Sequence, residues 1–542
     1  MSIPAFAQNL LSVRLAAVLW ATQAFMCSAQ VLANQDPTGL MMQDHIKRME
    51  RAAPDASPKP VPKLSAPQAS VASSDAVVLI SEIQFSKSEL LVAADLQALG
   101  QRFVGRKLGT AEIQQLLDEV SKLYQDKGIL TGVPVLPQQD LRTGVMRILL
   151  VEGRLGEVTI ATPGRAHAPW VQRWFDLAPN EVLSQEALRE RLVRFNNVSD
   201  FSAKAEMIAG EQFGQTNLSV NVTGSDPLQA WGFYETSSAD KATAPSQMGA
   251  GLRLMPLTSS GGRLDISILS TEVGSTLTGA MGWPVGVSAW RTSLSGSAAR
   301  SHSVFTSSDG KTLSIQGQSS SLSWDVGRTW VLRDPWVLVS AVNVSKQRSK
   351  TLASDVPLFD RESNKIAGVL TLNQDTPRQR GWWRSSFNVG SDGKTYRYWE
   401  MLGNWRSALD EQGLWLFRTS GLLRIKPDGV VSTLDRFYLG GADTVRGFDV
   451  GSAAGDHGAA AQLELRRNMS DLSWASTELY AFMDLGQAQD LASQATSRLR
   501  SAGFGIQTKL HDMLGLEFMA SQQLSTHRSS PNRAMMRLVL SY

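Results

Sequence analysis

Leu479-Tyr480-Ala481-Phe482-Met483-Asp484-Leu485-Gly486 alternates without interruption, with Ala481, Met483 and Leu485 on one side and Phe482, Asp484 and Gly486 on the other. Successive side chains of an extended chain point to opposite faces. The stretch therefore reads as a strand with one apolar face and one face that carries a carboxylate. Strand-length segments of the same texture recur from Leu228 to Tyr542, separated by clusters of Gly, Ser, Asp and Asn. Trp336 to Val344 and Leu414 to Leu422 are two of them. At the end of the chain Met536, Leu538, Leu540 and Tyr542 alternate with Met535, Arg537, Val539 and Ser541. An apolar face that closes on an aromatic residue is the lipid side of a membrane barrel strand. At roughly twenty residues per strand and connection, Ser225 to Tyr542 predicts a transmembrane antiparallel β-barrel of about 16 strands. Asp484 then faces the lumen. A soluble β-sandwich also alternates, but it leaves the aromatic terminus and the leader described below as coincidences. Trp231, Trp283, Trp290, Trp330, Trp382 and Trp383 fall near segment ends and are expected at the membrane interfaces.

Upstream of the opening strand, Thr444-Val445-Arg446-Gly447-Phe448-Asp449-Val450-Gly451 sits in a loop that opens with Gly440-Gly441. An isolated arginine at a hairpin tip is ordinarily just a solvated charge. A lumen carboxylate needs a partner, however, and the planar fork of Arg446 suits two-point contact with Asp484.

The front of the chain has a different texture. Leu15 to Met26 is apolar, follows Arg14 and precedes Val31-Leu32-Ala33, the layout of a signal peptide over residues 1–33. A lipoprotein anchor on Cys27 is disfavoured by the bulky Met26 before it. Cys27 is the single cysteine, so the mature chain would have none, as suits an exported protein without thiol chemistry. Within residues 34–76, Gly39 to Arg51 reads as a helix too short to stand alone in water, followed by Pro54, Pro58, Pro60, Pro62 and Pro67 in an extended linker. From Val77 the pattern is compact α/β. Val77 to Ile80 with Ile83 and Phe85 reads as a strand, Ala111 to Gln125 as a helix capped by Thr110, and Thr131 to Leu136 and Val145 to Val151 as strands. A second unit follows the same plan, with a strand at Leu155 to Ile160, a helix opened by Ser184, and strands at Ala203 to Ala209 and Asn217 to Val222.

Tyr124-Gln125-Asp126-Lys127-Gly128, Leu136-Pro137-Gln138-Gln139-Asp140-Leu141 and Val151-Glu152-Gly153-Arg154 resemble the first POTRA domain of TpsB-type transporters, the outer-membrane partners in two-partner secretion of haemolysins and filamentous adhesins. Val445-Arg446-Gly447-Phe448 and Phe482-x-Asp484-x-Gly486 are similar to the paired loop and strand motifs of the same superfamily. Trp231 to Glu235 departs from the Asn-x-Gly-Ser pattern of the family's first barrel strand. The resemblance implies a mixed fold: POTRA 1 at 77–152 with its motif residues Leu136, Pro137, Gln139, Asp140, Leu141, Glu152 and Gly153, POTRA 2 at 153–224, and a sixteen-stranded barrel at 225–542. A loop near 440–458 folds inward, and the Gly39–Arg51 helix serves as a plug. It also implies an unfolded TpsA-type exoprotein as client, outer-membrane lipids as surroundings, a monomer, and a place in the cell outer membrane with the POTRA units in the periplasm.

A net charge of +3 over 542 residues gives no nucleic-acid footprint. The six histidines show no HExxH or other metal-ligand spacing, and neither a nucleophile elbow nor a phosphate-cradling loop occurs. The chain is read as a non-enzyme without metal or cofactor. A barrel-assembly insertase shares the plan but carries a longer POTRA array, and a simple porin or outer-membrane enzyme would lack POTRA units or show catalytic residues.

Overall fold

The structure, a computed structural model, describes residues 36–53, 77–129, 131–162, 164–212, 214–224, 226–237, 246–306, 312–354, 356–428, 431–472, 475–511, 513–525 and 532–542. The signal peptide at 1–33 and the Pro-rich stretch at 54–76 lie outside the described residues.

The first α/β unit runs strand, helix, helix, strand, strand: Glu82–Phe85, Ala93–Gln101, Thr110–Asp126, Gly132–Val135 and Val145–Glu152. The last strand lies in the middle of the sheet, parallel to the first and antiparallel to the fourth element. The helix Thr110–Asp126 buries Ile113, Leu116, Leu117, Val120 and Tyr124 against Phe103, Met146 and Ile148, each full burial contributing about 1.5–3 kcal/mol. Thr110 is the first helical residue and not the cap. The N-cap is Gly109, whose N–H donates to the Glu112 carboxylate at 2.9 Å. The expected strand from Val77 through Phe85 is two strands, because Val78–Leu79 turns away to pair with Lys107–Leu108.

The second unit repeats the order with Arg154–Ala161, Ala168–Trp174, Gln185–Val198, Phe201–Ala209 and Gln215–Gly224, again with the last strand central. Ser184 caps its long helix by accepting from the Ala187 N–H. The short helices Ala93–Gln101 and Ala168–Trp174 were not anticipated from sequence. Only Gly153 separates the sheets of the two units. A Cβ there would meet the Thr131 carbonyl at 2.8 Å, so the junction admits no larger residue without movement.

Sixteen strands close into an antiparallel barrel, the first, Leu228–Ser237, pairing with the last, Asn532–Ser541. Closure leaves no free sheet edge, as a bilayer requires. The predicted faces hold: Met483, Leu540 and Tyr542 are exposed outward, whereas Asp484 and Arg537 are buried within. Trp283, Trp290 and Trp330 are exposed at strand ends, and Trp383 is exposed further in, as the fifth residue of the strand Gln379–Ser391. Trp231 and Trp382 are not on the outer surface. Trp231 packs inward with Phe233, Leu269 and Met49, and Trp382 lines the lumen. The reason is parity: Trp382 and Trp383 are consecutive in one strand, so one of them must point in.

The helix foreseen at Gly39–Arg51 spans Pro37–Ala52 and lies inside the barrel. Asp36 caps it by accepting from the Gly39 N–H at 2.9 Å, and the Ser349 hydroxyl of the wall donates to the same carboxylate at 2.6 Å. Thr38 bonds Ser301 at 2.7 Å, His45 bonds Thr276 at 2.7 Å, and Arg48 donates to Glu235.

Candidate functional site

The loop that enters the lumen begins earlier than the expected 440–458. The barrel strand Trp415–Asp428 ends before it, and a 3-10 turn at Thr433–Asp435 and a small ladder between Phe437–Leu439 and Ala453–Gly455 build its stem. His457 and Gly458 already belong to the next barrel strand, His457–Leu472. Asp435 ties the stem to the wall by accepting from Lys365 at 2.7 Å and from the Tyr396 hydroxyl. Within the loop, the Gly441 N–H donates to the Phe448 carbonyl at 2.9 Å, closing the turn that presents Arg446.

Arg446 and Asp484 meet at three points. The Arg446 backbone N–H donates to Asp484 Oδ2 at 2.9 Å, its Nε to the same oxygen at 2.8 Å, and Nη2 to Oδ1 at 2.7 Å. The guanidinium also lies 3.7 Å over the Phe482 ring, a cation–π contact strengthened by exclusion of water. Gly486 leaves room for the loop: a Cβ would stand 2.8 Å from Val445 and 3.0 Å from Leu439. Val445 and Phe448 are buried with Phe437, Leu439 and Leu499 in one apolar cluster. Gly447 adopts φ +88°, a conformation that favours glycine, and its carbonyl accepts from the Gln523 side chain at 2.7 Å. Every residue of the two motifs thus has a contact that accounts for its type.

Sequence reasoning missed the rest of the charge network. Glu464 accepts from Arg446 Nη1 at 2.6 Å and from Arg466 Nε at 2.7 Å. Arg466 also donates to Glu478 at 2.8 Å and lies 4.6 Å over Tyr480, whose hydroxyl donates to Glu517 at 2.7 Å. On the loop's far side Arg533 of the last strand clasps Asp449 at 2.7 and 2.9 Å. The alternation of Gln462, Glu464 and Arg466 was visible, but which of them lies beside Asp484 depends on strand register. Beside this junction lie two lumen cavities of about 640 and 420 Å³, each bordered by both the helix and the loop.

The POTRA-motif residues sit far from the lumen and build their own domain. Gln139 mimics a backbone: its amide donates to the Arg147 carbonyl at 2.7 Å and accepts from the Arg147 N–H at 2.8 Å. That extends the sheet beyond Val135. Asp140 caps the turn Leu141–Thr143, and Leu136 and Leu141 pack on the core. Pro137 precedes this turn, its carbonyl accepting weakly from Gln139 at 3.4 Å. Glu152 gathers the Ser88 hydroxyl, the Glu89 N–H at 2.9 Å, the Leu90 N–H at 3.2 Å and the Tyr124 hydroxyl at 3.0 Å. In the second unit Asn196 repeats the device of Gln139, exchanging hydrogen bonds of 3.1 and 2.7 Å with the backbone of Ala203.

A closed barrel filled by a helix and an inward loop, with tandem α/β units ahead of it, defines an outer-membrane transport pore. The chain belongs to the haemolysin secretion/activation protein family, ShlB/FhaC/HecB, which it matches over residues 214–508, and residues 78–153 match the ShlB-type POTRA domain. It is a two-partner secretion transporter of the outer membrane, its α/β units lying in the periplasm. Among curated relatives, the heme/hemopexin transporter protein HuxB of Haemophilus influenzae (strain 86-028NP) is 21% identical over 454 residues, covering 77% of this chain and 78% of the relative. The outer membrane transporter CdiB of Dickeya dadantii (strain 3937) is 23% identical over 410 residues, with 71% and 72% covered. Among solved structures, CdiB from Escherichia coli has the same fold at a TM-score of 0.65 and 17% identity, covering 96% of this chain and 98% of its own. BamA from Haemophilus ducreyi, lacking POTRA domains 1–3, shares the fold at a TM-score of 0.53 and 14% identity over 85% and 100% of the two chains.

Proposed function

We propose that this chain, acting as a monomer among outer-membrane lipids, passes one unfolded TpsA-type exoprotein of the adhesin or haemolysin kind from the periplasm to the cell surface. The observation that carries the reading is the pairing of a ShlB-type POTRA domain with a closed barrel whose lumen is occupied by a helix and an inward loop. The units at 77–152 and 153–224 act as POTRA 1 and POTRA 2 and take the client first. An extended client strand added to a sheet edge gains main-chain hydrogen bonds with little demand on sequence. The helix Pro37–Ala52 plugs the resting pore. Many of its wall contacts are hydrogen bonds to Ser349, Ser301 and Thr276, which water can replace when it leaves. Val445, Arg446, Gly447 and Phe448 with Phe482, Asp484 and Gly486 form a latch that fixes the loop. No nucleotide is needed, since folding of the client outside the cell biases its movement outward.

The test is co-expression with a candidate client, a large exported exoprotein of the TpsA type. Surface appearance of that protein requires this chain, and it accumulates in the periplasm when the chain is absent. Undiminished export without the chain sinks the reading.

A further inference from the structure

The fifth to eighth barrel strands, Trp290–Thr306, Thr312–Val331, Trp336–Ala353 and Val356–Asp375, are 17, 20, 18 and 20 residues long. A tilted strand crosses a bilayer in about 9–11 residues, so these four continue well beyond the lipid. The lower boundary is marked where Arg328 is held between Trp290 and Trp330, at 5.7 and 4.0 Å from the two rings. From there toward the rim farthest from the α/β units, the outward face stays apolar through Trp324 and Leu322 on one strand and Val342 and Val344 on the next. The stretch from Trp330 back to Leu322 matches the length of one crossing.

At that level the outward side chains change character. Lys346, Arg348 and Lys350 follow Val344 at every second residue, and Arg300 stands two strands away, with Gln318 between it and Lys350 in register. Neighbours along a strand face are about 7 Å apart and adjacent strands about 4.8 Å, so the four cations form one compact patch. Asp360 and Glu362 on the next strand reach Arg348 at 3.3 Å and Lys346 at 2.7 Å. Both cations remain 58% exposed in those pairs, and four positive charges face two negative ones.

We propose that Arg300, Lys346, Arg348 and Lys350 bind the phosphate-bearing headgroup of a glycolipid in the outer leaflet. Lysine and arginine supply the charge and donors that phosphate oxygens take. The apolar face directly below, with Val342, Val344, Leu322 and Trp324, lets the acyl chains of the same molecule lie against the wall. A soluble phosphate would use the cations but not that face. The inference rests on the outer-membrane orientation given above.

The full chain is purified in detergent and titrated with lipopolysaccharide carrying both lipid A phosphates. Arg300→Ser, Lys346→Gln, Arg348→Gln and Lys350→Gln combined are expected to weaken binding by about tenfold or more, given the attraction of each basic side chain to an anionic surface. Asp360→Asn with Glu362→Gln is expected to strengthen it, and dephosphorylated lipid is expected to bind the wild type as poorly as the phosphorylated probe binds the fourfold variant. Equal binding to wild type and fourfold variant overturns the proposal. So does full displacement of the lipid by an equal concentration of inorganic phosphate, which would assign the patch to a soluble anion. Should the fourfold variant fail to insert, unchanged binding by the Asp360/Glu362 variant overturns it alone. Export of the client reports separately on the pore, so loss of lipid binding with secretion retained leaves the transport reading standing.

Discussion

Arg446 is shared: its Nη1 ends on Glu464 while its Nε, Nη2 and backbone N–H end on Asp484. A simple two-residue latch would tolerate exchange of its partners. This one has a third member that fixes the sign of the charge at position 446. Arg446→Ala leaves Asp484 uncompensated in a buried site, at a cost of about 3–5 kcal/mol, whereas Asp484→Ala leaves Arg446 paired with Glu464 alone and is expected to cost less. The charge swap Arg446→Asp with Asp484→Arg puts a carboxylate at position 446 against Glu464 and is expected not to rescue. Client secretion is scored together with heat-modifiable migration of the barrel. Wild-type secretion in both single variants, with the barrel inserted, refutes the latch, and recovery in the swap refutes the role given to Glu464.

The helix supplies a second measurable outcome. Deleting residues 36–53 removes a wall from both lumen cavities and is expected to raise single-channel conductance in planar bilayers. Arg48→Ala is expected to act in the same direction more weakly, since it leaves Glu235 without its donor from the helix. Unchanged conductance and open probability in the deletion refute the plug.

Glu152 gives a pH dependence in the periplasmic arm. Burial pushes its pKa up, but hydrogen bonds from Ser88, the Glu89 N–H, Tyr124 and the Leu90 N–H outweigh this and hold it below the ordinary 4.5. A carboxylate depressed on folding stabilises the fold fully above its unfolded pKa, and the contribution is lost as pH falls through the folded value. Thermal unfolding of the arm in the full chain should therefore move to lower temperature on acidification below about pH 4.5. Glu152→Gln should lower the midpoint at neutral pH and flatten that dependence. An equal pH slope in the variant would count against this assignment.

The barrel was legible because a period of two survives any loop length, and Asp484 stood out as the one carboxylate in the run Leu479 to Gly486. The pairing with Arg446 followed from that need for a partner together with the two motifs. Glu464 and Arg466 were not recoverable, since alternation places them inward but not beside any particular neighbour. Ala93–Gln101 and Ala168–Trp174 escaped for a different reason. At nine and seven residues the helical period barely repeats, even though Pro169 sits in a first turn, where proline is tolerated. Trp231 was misplaced because nearness to a strand end says nothing about which face a side chain takes.

The junction at Gly153 has a mechanical meaning. Thr131 receives the Gly153 N–H at 2.8 Å, the Gln185 N–H reaches back to the Gly128 carbonyl at 2.8 Å, and Arg154 spans from Glu89 at 2.7 Å to the Asn180 carbonyl at 3.0 Å. At the other end Asp200 is clamped by Arg291 at 3.1 Å and by the Gly262 N–H at 2.7 Å, both of the barrel. Both junctions of the second unit, to the first unit and to the barrel, are thus fastened at more than one point. The two junctions therefore tie the outermost sheet to the barrel's rim through hydrogen bonds and ion pairs at both ends of the second unit.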